Sequence, residues 1–430
     1  MPGVRSAVVG VLGVVTATAT LSACTQSSVE TTARLVVTPA TSRADEPVAL
    51  QVQGVPGGTE ATVTVAATDS AGLAWTASAP FTVGAGGALT PSSTPGDSAS
   101  NTAAPPVSRD PTALVAQMQP PKGSSDANGM FFGWGSTPVT FTWTLTVGGQ
   151  LRATASTQRT FGQAGAYVVH PTQAADGVAG TYAAVQDGKR HPAVLALGGS
   201  EGGFQAGLAL ALAARGIPTL AQAYFKAPGL ANRLSQIPLE TFDRGLAWLQ
   251  NQPDVDPAHI WVTGASRGSE AALLVASRRP DVVHGVLVTS PSNVVQQDFP
   301  ASGTSAWSVG GQPVPYTAQD NNPAPTDTPD AVIPVEKVAG PVLAVCGGQD
   351  TLWTSCPFAE AIMTRLDGAK SSQPHRLWTY PLAGHWVDIL LPYQPLRLDD
   401  YHGGLSPDAD AQARADVWPK IVATISGSGG

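Results

Sequence analysis

Charge is scarce in this sequence and nowhere concentrated. Asp, Glu, Lys and Arg supply only 13% of the 430 residues, the formal net charge is −8, and Lys and Arg form no run. Binding a nucleic acid backbone requires clustered cations that displace counterions, so a nucleic acid partner is excluded. Cysteine is scarcer still, at three residues. Three thiols cannot build a disulfide framework, and no His/Cys cluster has the spacing of a metal site. Neither a metal nor another cofactor is expected. A long apolar run is also missing. The nearest approach, within the first 23 residues, is too short for a membrane-spanning helix.

That N-terminal stretch instead has the form of an export signal. Arg5 lies near its start, a short apolar segment follows, and Leu21-Ser22-Ala23-Cys24 closes it. The last four residues resemble a bacterial lipobox, which implies cleavage before Cys24 and lipid on its sulfur. Residues 1–23 are then a signal peptide and 24–33 a lipidated linker. The mature chain is expected to be exported and anchored to the outer face of the cell membrane. A soluble secreted protein with an incidental Cys24 is the alternative. Export permits disulfides. With Cys24 lipidated, Cys346 and Cys356 remain as an even pair close in sequence, and a bridge is expected over two separate buried thiols.

Residues 34–160 are β-rich. "RLVVTP", "PVALQVQGV" and "ATVTVAATD" are short β-branched runs divided by Pro, Gly and Asp. In "VTFTWTLTV", Phe141, Trp143, Leu145 and Val147 alternate with threonine, as in a strand with one buried face. Several such strands without a helical period predict an immunoglobulin-like β-sandwich. A Gly-, Ser- and Pro-rich stretch near 84–122 is read as a disordered insertion within it.

From residue 161 to 430 apolar strands alternate with helices, the signature of an α/β fold with a mostly parallel sheet. Strands are expected at Ala193–Leu197, Pro218–Phe225, His259–Gly264, Val282–Thr289, Pro341–Cys346 and His375–Tyr380. Helices are expected at Phe204–Arg215, Leu239–Gln250, Arg267–Arg278, Pro357–Leu366 and Ala409–Ile425. A polar, Pro-rich stretch near 290–335 breaks the rhythm and reads as a lid-like insertion.

Two stretches carry the Gly-x-Ser-x-Gly pattern of a nucleophile elbow. One is Gly198-x-Ser200-x-Gly202 in "ALGGSEGG", the other Gly264-x-Ser266-x-Gly268 in "TGASRGSE". Both supply the small neighbours that a strained strand-to-helix turn needs, so local sequence does not choose between them. Chain order does. In an α/β-hydrolase the nucleophile comes first, the acid next and the histidine last. After Ser266 one strand intervenes before "PVLAVCGGQD" delivers Asp350, and the next strand leads through "PLAGH" to His385. Ser266 is therefore read as nucleophile, Asp350 as acid and His385 as base, with Asp298 the reserve acid. Ser200 follows an earlier strand, where this fold supplies part of an oxyanion hole. Ser200, Glu201 and Gly202 are assigned to that hole together with the backbone N–H of Arg267.

Together these residues resemble the family of acyl-CoA thioesterases and bile acid-CoA:amino acid N-acyltransferases. The resemblance runs from about residue 34 to residue 425. In the sandwich it rests on "RLVVTPATSRADEPVALQVQGV" and "SSDANGMFFGW". In the hydrolase region it rests on "LALGGSEGGF", "LAARGIPTLAQAYF", "GASRGSE", "GGQDTLWTS" and "YPLAGHWV". It implies hydrolysis of a small-molecule acyl thioester through Ser266, Asp350 and His385. The family's transferase branch uses a cysteine where this chain has Ser266, which favours hydrolysis over conjugation. The export signal points away from a cytoplasmic acyl-CoA, so a carboxylesterase or lipase acting on envelope esters stands beside the thioesterase reading. A binding protein on a hydrolase scaffold is the third reading. The sequence specifies no oligomeric state.

Overall fold

The computed structural model describes residues 32–92, 111–124, 137–398 and 402–427. The expected signal peptide, the lipidated Cys24 and residues 93–110 of the expected insertion lie outside the described residues.

The N-terminal region forms eight strands: β1 (Arg34–Thr38), β2 (Thr41–Arg43), β3 (Ala49–Gln53), β4 (Glu60–Thr68), β5 (Ala74–Val83), β6 (Leu89–Pro91), β7 (Val139–Val147) and β8 (Gln150–Thr160). They build a six-stranded sheet of order β2-β8-β7-β4-β5-β6 and a two-stranded β1-β3 ribbon. Alternation does the work. Ala61, Val63, Val65 and Ala67 of β4 and Phe141, Trp143 and Leu145 of β7 are buried, and they share one core with Leu35 and Leu50 of the ribbon. The sandwich is therefore lopsided.

The expected insertion near 84–122 needs correction. Within it, β6 pairs with β5, and a short helix α1 (Ala113–Ala116) leads a segment that buries Leu114, Val115 and Met118 in the sandwich core. The next residues brace the second domain. Gln119 donates to the Leu396 carbonyl at 2.8 Å and accepts from the Leu398 N–H at 2.8 Å. A second tie runs through Asp45, which accepts from Arg215 Nε at 2.6 Å and from the Trp418 indole at 2.7 Å.

The second domain is an α/β-hydrolase. Its strands are β9 (Ala166–Val169), β10 (Ala179–Val185), β11 (His191–Leu197), β12 (Thr219–Ala223), β14 (Val255–Ala265), β15 (Val283–Thr289), β18 (Val342–Gly347) and β19 (His375–Tyr380). They form one sheet of order β19-β18-β15-β14-β11-β12-β10-β9, parallel except at β10, which pairs antiparallel with both of its neighbours. Parallel strands are covered on both faces, so they read as continuous apolar runs, and every residue of β18 is buried. Helices α3 (Ala206–Ala213) and α7 (Pro407–Ile425) pack with one core, through Leu212 and Val417. Helices α4 (Glu240–Gln250), α5 (Arg267–Arg278) and α6 (Ser355–Gly368) pack with the other, through Leu246, Leu273 and Ile362. A further short helix, α2 (Gln173–Asp176), lies between β9 and β10.

Strand order turns back at β11, with β12 on one side and β14 on the other. Loops leaving the carboxyl ends of strands at such a switch point diverge and open a crevice, the usual place for a ligand in this class of sheet. The segment near 290–335, expected as a lid, is tightly packed. It carries β16 (Trp307–Val309) and β17 (Gln312–Pro313), which join β13 (Ile237–Pro238) in a three-stranded sheet, and it buries Val295, Trp307 and Ile333.

Candidate active site

Ser266 stands alone between the end of β14 and the start of α5, with φ 50° and ψ −122°. A non-glycine residue in that region is strained, and such strain persists only where its surroundings impose it. The flanking glycines impose it. A Cβ on Gly264 would lie 2.2 Å from the Gly268 carbonyl oxygen, and one on Gly268 would lie 2.2 Å from the Gly198 carbonyl oxygen. Strand, helix and the loop after β11 thus touch backbone to backbone beneath Ser266. The "GASRG" sequence is shaped for that contact.

The loop after β11 places Gly199 against the serine. A Cβ there would come within 3.1 Å of Ser266 Cβ. The buried Tyr224 hydroxyl holds the loop from behind, 2.6 Å from the Gly198 carbonyl oxygen and 3.1 Å from that of Gly199. Ser200, Glu201 and Gly202, assigned to the oxyanion hole from the sequence, follow Gly199 in this loop. Gly202 packs against Phe225 and Lys226. Glu201 contributes its side chain, whose Oε1 accepts the Gly199 N–H at 2.9 Å. The Arg267 N–H opens α5, where a helix has no internal partner to offer, and it makes no hydrogen bond among the described residues.

Asp350 leaves the end of β18 and His385 follows β19. Asp350 Oδ2 accepts from His385 Nδ1 at 2.8 Å. Its other oxygen accepts the N–H groups of Leu352 (3.0 Å) and Trp353 (3.3 Å), so the carboxylate is held from both ends. The His385 ring lies edge-on to Trp353 and Trp386, at 6.0 and 5.9 Å between centroids. Asp298, the reserve acid, is elsewhere. It accepts from Ser235, Ser302 and Arg233 and shapes its own loop.

The end of β15 joins these loops. Ser266 N–H donates to the Thr289 carbonyl at 2.9 Å, Ser290 Oγ donates to the His385 carbonyl at 2.7 Å, and the Trp353 indole donates to the Ser290 carbonyl at 3.0 Å. Histidine and acid are therefore in contact, and the end of β15 is hydrogen-bonded to the backbone of both Ser266 and His385. Among the described residues Ser266 Oγ makes no hydrogen bond.

Residues 237–426, which include Ser266, Asp350 and His385, match the family described as BAAT / acyl-CoA thioester hydrolase C terminal. The matched span is a little under half of the chain. Acyl-coenzyme A thioesterase 6 of Mus musculus is 28% identical over 246 residues, covering 54% of this chain and 58% of that protein. Human mitochondrial acyl-coenzyme A thioesterase 2 is 26% identical over 248 residues, with 54% and 51% covered. Acyl-coenzyme A amino acid N-acyltransferase 2 of Rattus norvegicus is 28% identical over 249 residues, with 54% and 58% covered. The match thus spans little more than half the length of these relatives. Among solved structures, an α/β-hydrolase from a deep-sea metagenome library is 15% identical with a TM-score of 0.41, covering 62% of this chain and 100% of that one. The Pyrobaculum calidifontis esterase is 16% identical with a TM-score of 0.39, covering 61% and 86%.

The electrostatics of the site centre on His385, which is 3% exposed. Burial disfavours its imidazolium, but the Asp350 hydrogen bond and the charges of Asp388, Asp350 and Asp410 outweigh burial and raise its pKa above the ordinary histidine value. No motif in the sequence marks Asp388. Burial, reinforced by the carboxylates of Glu201, Asp350 and Asp410 and opposed by His385, pushes its pKa up to about 7. A second buried pair anchors the start of α5. Arg267 Nε lies 2.7 Å from Glu270 Oε1, while Glu270 Oε2 accepts from the Trp307 indole at 2.9 Å and the Gln296 N–H at 3.1 Å. The expected disulfide is present. Cys346 at the end of β18 and Cys356 in the first turn of α6 are bridged, with Cα atoms 5.1 Å apart, and Asp350 lies in the ten-residue span between them.

Proposed function

We propose that the chain is a serine hydrolase that cleaves acyl thioesters. Ser266 is the nucleophile, His385 the base and Asp350 the residue that orients it, with the Gly199 and Arg267 N–H groups as oxyanion donors. One observation carries this reading: Ser266 is held at φ 50° beside Gly199, between loops that bring Asp350 and His385 together at 2.8 Å. No bland structural role needs that strain and that pair together.

The chemistry follows from the parts. His385 Nε2 takes the Ser266 Oγ proton as the Oγ–carbonyl carbon bond forms, and Asp350 steadies the imidazolium through Nδ1–H. The serine–histidine hydrogen bond is one that tightens when substrate enters. Backbone N–H groups receive the oxyanion, and Glu201 must yield the Gly199 N–H for that to happen. Collapse expels the thiol with the imidazolium proton. Water, deprotonated by His385, then cleaves the acyl-enzyme. Phe204 follows the cradle loop and Leu352 follows the acid; both leave large apolar side chains about two-fifths exposed, which suits an apolar acyl group.

The Leu21–Cys24 sequence supports a second reading of the substrate, an oxygen ester of the cell envelope met by a lipid-anchored enzyme. Turnover of matched acyl thioesters and oxygen esters over several chain lengths separates the two. A kcat/KM at least tenfold higher for thioesters supports the first reading. A preference for oxygen esters overturns it.

A further inference from the structure

His385 and Asp388 occupy the first and fourth positions of one 3-10 turn, His385–Ile389. Three residues per turn bring positions i and i+3 onto the same side of such a helix. The result is a carboxylate set against the working nitrogen of the histidine, with Asp388 Oδ2 3.8 Å from His385 Nε2. The opposite nitrogen, Nδ1, is already held by Asp350. The imidazole is thus bracketed by two acids. The Asp388 side chain is 9% exposed, and its Oδ1 is buried with no hydrogen-bond partner among the described residues. An unsatisfied buried carboxylate oxygen is costly, so it needs an account. The Asp388 main chain is fixed where it is, because its carbonyl accepts from Thr289 Oγ1 at 3.1 Å.

We propose that Asp388 is a positioning residue whose carboxylate retains the proton on Nε2 of His385 in the free protein, and that this proton must pass to water before Nε2 accepts the Ser266 hydroxyl proton. The inference rests on the hydrolase reading of Ser266 and His385 and adds to it a gate on the acid side. The gate responds to every charged group around it. Glu201 faces Asp388 from the loop after β11, Asp350 from the loop after β18 and Asp410 from α7, and each carboxylate favours retention of the shared proton. Arg414 of α7 reaches the same turn by donating to the Trp386 carbonyl at 3.1 Å. While Nε2–H faces Asp388 the histidine is no base. Once the proton leaves, His385 is neutral at Nε2, still oriented by Asp350, and ready to act on Ser266.

The test measures the rate of fluorophosphonate labelling of the whole chain from about pH 5 to about pH 9, for wild type and Asp388→Asn. Each rate is expressed against the same protein's alkaline plateau. Removing an opposite charge about 4 Å from Nε2 should move the acid limb to lower pH, raising the normalised rate severalfold near pH 7, where the Asp388 carboxylate is ionised in wild type. The His385 ring, assigned by its loss in His385→Gln, is titrated by NMR in parallel and should shift in the same direction. A side chain that only filled space would leave both unmoved. Wild type that labels, with an acid limb unchanged in Asp388→Asn, overturns the proposal. Wild type that labels at no pH overturns the hydrolase reading instead, and the ring titration, which needs no catalysis, then decides the role of Asp388 separately. Should the Asn variant not fold, Asp388→Ser takes the same measurements.

Discussion

Gly199 stands against Ser266 so closely that a Cβ on it would lie 3.1 Å from Ser266 Cβ and 2.7 Å from Glu201 Oε2. The carboxylate can swing away into solvent, but the serine is fixed by its elbow. Gly199→Ala should therefore fold and should displace either the cradle N–H or Ser266 by a few tenths of an ångström. Misplacement approaching 1 Å costs up to ~10² in rate. The expected outcome is a drop in kcat of about tenfold or more with Tm nearly unchanged. Unchanged kcat would show that Gly199 contributes nothing to the oxyanion site.

The Cys346–Cys356 bridge closes a short loop around Asp350. In the chain-entropy view such a crosslink stabilises by about 3 kcal/mol. It also limits backbone excursions of the acid that orients His385. The double variant Cys346→Ser/Cys356→Ser should lose Tm by several degrees and should lose kcat as well. Calorimetry and turnover measured on one preparation check both parts. Loss of Tm alone would make the bridge a staple with no part in positioning Asp350.

Asp388 also makes stability depend on pH. Its folded-state pKa is raised from an ordinary aspartate value to about 7, so the folded protein holds this proton more tightly than the unfolded chain does. The contribution is fully present below about pH 4 and is lost as pH rises to about 7. Asp388→Asn, which carries no charge at any pH, should match wild type most closely near pH 4 and should exceed it above pH 7. The gain is on the order of 4 kcal/mol, since each pH unit is worth ~1.4 kcal/mol. Denaturant unfolding at both pH values checks the sign. A variant less stable than wild type above pH 7 would contradict it.

Parts of this architecture are legible in the sequence for a simple physical reason. A parallel strand buried on both faces must be apolar throughout, and β18 lies where such a run indicates. Helix α5 covers Arg267–Arg278, the span that its period indicates. Strands β9 and β10 escape notice because their residues carry no such contrast. β10, "AGTYAAV", is small-residue sequence buried almost throughout, and β9 is a largely exposed edge. Averaging composition over 84–122 hid Leu114, Val115 and Met118, whose spacing in "ALVAQM" is that of one buried helical face.

The site shows the same division. Chain order along the sheet brings Asp350 and His385 into view, because strand order decides which loops converge. Gly199 was overshadowed by the Gly-x-Ser-x-Gly pattern that begins one residue before it. Asp388 gives only one sequence signal, its i+3 spacing from His385. That spacing has meaning only once the segment is known to be a 3-10 turn.

The central claim is that Ser266, and not Ser200, attacks the substrate. The most direct measurement is to label the folded protein with a fluorophosphonate and locate the adduct by peptide mass spectrometry, alongside Ser266→Ala and Ser200→Ala. The account predicts a single adduct on the peptide carrying Ser266. It should be absent in Ser266→Ala, whose turnover falls by ~10⁴ or more, while Ser200→Ala retains both adduct and substantial turnover. An adduct on Ser200, or equal inactivity of the two folded variants, would contradict it.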